Sequence, residues 1–199
     1  MIEPNGVCEK TKFGNIIYLS ESLSYFLFYM NLSFLEFHNF SMEIEQNLES
    51  LLIGLRVMLG VESLDFDLDP RHDILPKHII ENNNFLVNQQ LMFIIGHEYA
   101  HHSLGHLNNS KFHKMNSNDL FKVQGENNKI YNYSQKQEFE ADWYAFKNTK
   151  LKKEKKASIL NGAFLFFIYL DVYDSVKQYL HPSVKAYKTH PEPIDRLWN

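Results

Sequence analysis

The chain has 199 residues, 44% of them hydrophobic and 15% aromatic, and a formal net charge of −4 at pH 7. That apolar content excludes a disordered polar chain, the length fits a single domain, and the acidic balance gives no electrostatic reason to expect nucleic acid as a partner. A lone cysteine, Cys8, can form no intrachain disulfide; it agrees with a reducing, cytoplasmic setting and reads as a spectator.

The opening residues are polar and turn-rich up to Gly14, with no basic region, apolar stretch and small-residue cleavage site in succession, so no secretory leader is expected. Asn15 to Ser20 reads as a short strand. Leu23, Phe26, Leu27, Met30 and Phe34 recur at helical spacing, and Ile44, Leu48, Leu51, Leu52, Leu55 and Leu59 mark a second amphipathic helix ending at Gly60. These two helices are expected to pack together. Acids alternate with apolar residues over 62–68, which predicts a short strand able to pair with an extended substrate. Asn82, Asn83 and Asn84 offer N-caps to a mostly apolar helix of about 20 residues that exits near Gly105.

From Leu107 to Tyr133 the composition turns polar, with seven asparagines, and predicts a long mobile loop placed to cover a site. Ser134-Gln135-Lys136-Gln137 is a capping box, which starts a helix running to about Asn148. Lys150-Leu151-Lys152-Lys153-Glu154-Lys155-Lys156 reads as a solvated loop between helices. The uncharged stretches Ser22 to Leu35 and Ala157 to Leu170 fall short of the roughly 18 residues a bilayer requires, so no stable membrane insertion is expected. Five or six helices with at most a small sheet make the fold class mainly α, or α+β with a small sheet.

His97-Glu98-Tyr99-Ala100-His101 carries the chemistry. Three specified positions at this composition arise by chance in roughly 0.04 of such chains. On a helix, residues four apart share a face, so His97 and His101 can aim at one zinc ion while Glu98 flanks its open coordination position. The competing reading makes both histidines hydrogen-bonded core residues, which requires buried polar groups satisfied without a metal. Zinc held by two histidines takes a third protein ligand and leaves a fourth position for water. The metzincin continuation is excluded, because Leu104 and Leu107 stand where its glycine and third histidine belong. Glu138 and Asp142 share a face of the capped helix, whereas Glu140 points about 200° away. One face thus offers a ligand and an orienting carboxylate. His106 falls about 140° from the His101 face at helical pitch, so it and His102 read as surface or packing residues.

Three blocks in order, His97 to His106, Glu138-Phe139-Glu140-Ala141-Asp142, and Thr189-His190-Pro191-Glu192-Pro193-Ile194-Asp195-Arg196-Leu197, resemble the signature blocks of the CAAX-prenyl-protease and HtpX-like family of gluzincin zinc endopeptidases. The resemblance implies a zincin-like domain over 1–199 with one zinc per chain between two core helices. It implies His97, His101 and Glu138 as ligands, Glu98 as general base, and Asp142 hydrogen-bonded to a ligand histidine. His190 would face the substrate and stabilise the oxyanion, and Arg196 would hold the region together or assist that role. Nothing corresponds to the family's membrane-spanning helices, so its membrane setting and prenylated substrates are not carried over. The expectation is a cytoplasmic zinc endopeptidase acting on a protein or peptide, with selectivity for one cytoplasmic protein as a variant. The alternative is a catalytically idle metal-binding or interaction module that retains the helix. Oligomeric state leaves no signal in the sequence.

Overall fold

Helical periodicity dominates the chain, and the fold follows it. The computed structural model describes residues 6–12, 14–39, 44–65, 75–106, 127–147, 151–180 and 191–198. Among them, strands β1 (Gly6–Thr11) and β2 (Gly14–Leu19) form an antiparallel pair with Cys8 opposite Ile17. Helices follow as α1 (Glu21–Asn39), α2 (Ile44–Met58), α3 (Lys77–Ser103), α4 (Asn127–Lys147), α5 (Lys153–Leu180) and α6 (Pro193–Trp198). The architecture is mainly α with one two-stranded sheet.

α3 packs against α1, α4 and α5, and the hairpin lies against it as well. α1 buries Leu23, Phe26, Leu27 and Met30, the stripe its spacing dictates, each such side chain contributing roughly 1.5–3 kcal/mol. Phe93 of α3 meets Phe167 of α5 edge-on, with centroids 5.3 Å apart. Gly162 is where α5 crosses α3: a Cβ there would lie 2.6–2.8 Å from the backbone of Gln89 and Gln90. Beside that crossing, the Tyr169 hydroxyl donates to Asn31 Oδ1 and Asn31 Nδ2 donates to Gln90 Oε1, both at 2.8 Å. Burial raises the Tyr169 pKa and keeps it a neutral donor. This buried bridge ties α1, α3 and α5 together through both side-chain polar atoms of Asn31.

Several local expectations change. α3 begins at Lys77, directly after Pro76, and has no side-chain cap. Proline suits a helix start because its missing N–H would have no partner there. The asparagines lie inside the helix, and Asn83 is fully buried, donating to the Phe28 carbonyl at 2.9 Å. On α2 the expected apolar stripe holds in part: Leu55 is buried and Leu51 packs against the core, but Ile44, Leu48 and Leu52 are exposed, while Asn47, Ser50, Ile53, Gly54 and Val57 are buried. The inner face is shifted by close approach to α1: a Cβ on Gly54 would sit 3.1 Å from Met30 Sδ, so Gly54 goes inward together with Ile53, Leu55 and Val57. α4 starts at Asn127, so 127–133 are helical turns preceding the capping box; 107–126 lies outside the described residues. No strand forms over 61–65, and 66–68 is likewise outside them. The uncharged stretch Ala157 to Leu170 is the middle of the 28-residue α5. Its most apolar 18-residue window has a mean hydropathy of 1.4, so by length and composition alone α5 could cross a membrane.

Candidate metal centre

α3 and α4 pack side by side, each presenting residues four apart on its facing side. His97 and His101 come from α3 and Glu138 from α4, with one ligand atom of each within 4.8 Å of the others. The two Nε2 atoms are 2.9 Å apart. Glu138 Oε2 lies 3.4 Å from His97 Nε2, and Oε1 lies 3.3 Å from His101 Nε2. For a tetrahedral ion with bonds of 2.0–2.1 Å, neighbouring donors are roughly 3.3–3.4 Å apart, so this set needs only a slight opening between the imidazoles.

The outer partners decide which nitrogens face inward. Asp142 Oδ1 is 2.8 Å from His97 Nδ1, and a carboxylate there requires the proton on Nδ1. That leaves the His97 Nε2 lone pair directed toward His101 and Glu138. Behind His101, its Nδ1 lies 2.9 Å from Nδ1 of His106, which the helical extrapolation had placed off this face. Two imidazole nitrogens and a carboxylate therefore converge in a largely buried space, a donor set that suits a divalent cation. Burial opposes charge on His97, yet the Asp142 and Glu138 carboxylates together outweigh it and lift its pKa to about 9. The same field that holds a proton on this imidazole would hold a metal cation.

Arg196, from α6, closes the cluster from behind. Its Nε donates to Asp142 Oδ2 at 2.8 Å and its Nη2 to Asp142 Oδ1 at 2.7 Å, with Glu138 Oε2 at 3.4 Å. Its guanidinium also lies over the Phe167 ring, 4.8 Å from the centroid. Burial works against the Asp142 carboxylate, but Arg196 and His97 outweigh that effect and hold its pKa below the usual range. These donors are engaged with carboxylates, which places Arg196 as the holder of Asp142. His190 lies outside the described residues.

Glu98 sits beneath the hairpin. The Cys8 backbone N–H donates to its Oε2 at 3.0 Å, and Asn15 Nδ2 donates to His102 Nδ1 at 2.8 Å one turn further on. Burial raises the Glu98 pKa above the ordinary carboxylate range, against the pull of His97, His101 and the Cys8 amide. The contact uses the Cys8 backbone and not its thiol. Burial likewise pushes its thiol up, with the Glu98 charge adding to the effect.

No family model, curated protein or solved structure matches the chain. The centre has to be judged on its own geometry. A cavity of about 270 Å³ between α4, α5 and α6 is lined by Trp143, Phe164 and Leu197 together with Asp142 and Arg196. His97, His101 and Glu138 do not line it, so it lies beside the cluster and not over it.

Proposed function

We propose that the chain is a zinc-dependent endopeptidase of gluzincin type, with His97, His101 and Glu138 as ligands of one zinc ion and Glu98 as general base. The carrying observation is the convergence of both Nε2 atoms on the Glu138 carboxylate, with a carboxyl of raised pKa next along the same helix. The ordered sequence blocks that resemble the CAAX-prenyl-protease and HtpX-like family support the same reading.

When bound, zinc supplies Lewis acidity, which polarises the scissile carbonyl and acidifies water at neutral pH. Glu98 takes the proton of the attacking water as the new C–O bond forms. It then passes that proton to the amide nitrogen as the C–N bond breaks. Its raised pKa brings it nearer the working pH of such a proton carrier. Asp142 keeps His97 in the Nδ1–H tautomer, and Arg196 keeps Asp142 charged and oriented. Arg196 is assigned no oxyanion role in this scheme, because its Nε and Nη2 donors already meet Asp142.

Metal analysis and a peptidase assay with an unfolded protein substrate test this reading together. Glu98→Gln should retain one zinc per chain and lose cleavage; cleavage at the wild-type rate would remove Glu98 from the mechanism. A second reading, a metal-binding module without turnover, is favoured by the Cys8 amide bonded to the proposed base. It predicts tight zinc and no cleavage by the wild type.

A further inference from the structure

His101 can offer Nε2 to a metal only if its other nitrogen carries the proton, and that Nδ1–H then needs an acceptor. Nδ1 of His106 lies 2.9 Å away, on a side chain only 9% exposed. Accepting through Nδ1 puts the His106 proton on Nε2, which lies 3.5 Å from Glu140 Oε2.

The local chain explains how a residue five positions after His101 reaches it. α3 closes with Leu104 N–H on the Ala100 carbonyl at 2.9 Å and Gly105 N–H on the His102 carbonyl at 3.1 Å. Gly105 then adopts φ 75°, a left-handed conformation that suits glycine. Helical pitch stops applying at that point, and the chain folds back to lay His106 against His101. Glu140 is on the opposite side of α4 from Glu138 by pitch, yet its carboxylate reaches the turn.

We infer that His106 is a positioning residue of the metal centre: with Glu140 behind it, it fixes the tautomer and orientation of His101 as Asp142 does for His97. This rests on the proposed metal-binding role of His97, His101 and Glu138. Partners of this kind commonly change metal affinity by about 10–100-fold when removed.

The test is the zinc dissociation constant of the full chain, measured by chelator competition, together with the rise in melting temperature that zinc produces. His106→Leu removes the acceptor and should weaken zinc by about 10–100-fold, with a smaller zinc-induced rise. His106→Asn places an amide oxygen close to where Nδ1 stood and should bind within a few-fold of wild type. Glu140→Gln, on a side chain 46% exposed, should give a smaller loss in the same direction. Wild-type affinity in His106→Leu would overturn the inference. So would equal losses in His106→Leu and His106→Asn, which would make His106 a direct ligand or a packing residue. A wild-type chain that binds no zinc would instead bring down the metal reading, and this inference with it.

Discussion

His97 and His101 aim at the same point, but they are held from behind by opposite means. Behind His97 stands a buried ion pair, in which the Asp142 and Arg196 side chains are 10% and 8% exposed. Behind His101 stands a neutral imidazole whose own partner, Glu140, is 46% exposed and also lies 3.6 Å from Lys136. A charge pair taken out of water is insensitive to salt but intolerant of losing one member. A chain ending at the surface is the reverse. The first flank therefore ties the centre to global stability, while the second adjusts affinity with little effect on folding.

The largest expected effect breaks the buried flank. Asp142→Ala leaves the buried Arg196 charge with only the longer 3.4 Å contact to Glu138, which should destabilise the chain by about 3–5 kcal/mol. For a chain of this size that lowers the melting temperature on the order of 10 °C. Glu140→Ala should change stability by less than about 1 kcal/mol. Thermal melts of both variants under chelator, where zinc plays no part, decide the matter. Equal losses would erase the distinction between the two flanks.

A gentler substitution sharpens the same contrast. Arg196→Lys keeps the charge but cannot place two N–H groups on both oxygens of Asp142. It should cost about 1.5–3 kcal/mol, the worth of one charge-assisted hydrogen bond. Denaturant unfolding would measure it, and an unchanged midpoint would mean that charge alone, not the fork, holds Asp142.

How much of this was legible in the sequence divides along a physical line. Helical pitch puts His97 with His101 on one face and Glu138 with Asp142 on another, because each pair lies four apart within a continuous helix, but that the two pairs meet was implied only by the resemblance of the ordered blocks. His106 could not be placed by pitch, since its position depends on the Gly105 turn that ends the helix. Cys8 was opaque for another reason: the Glu98 contact uses a backbone N–H, which every residue but proline possesses. On α2 the leucine stripe marks the core face only in its second half, at Leu51 and Leu55, because the close approach at Gly54 turns Leu48 and Leu52 outward. The engagement of Arg196 with Asp142 depends on two segments 54 residues apart, a tertiary fact that composition and spacing cannot carry.

The smallest expected effect lies at the outer end of the wet flank, where it tests whether that flank is coupled to solvent at all. Lys136 and Glu140 are four apart on α4, with their side chains 73% and 46% exposed. A double-mutant cycle to alanine at both positions should give a coupling of about 0.3–0.5 kcal/mol at low salt, typical of exposed helix pairs. The Debye length shrinks to about 3 Å in 1 M salt, so the coupling should fall toward zero there. The corresponding cycle between Asp142 and Arg196 should keep its value, because little ionic solution reaches that pair. A Lys136–Glu140 coupling that survives high salt would mean Glu140 is shielded. In that case the imidazole behind His101 would rest on a fixed charge, much as His97 does.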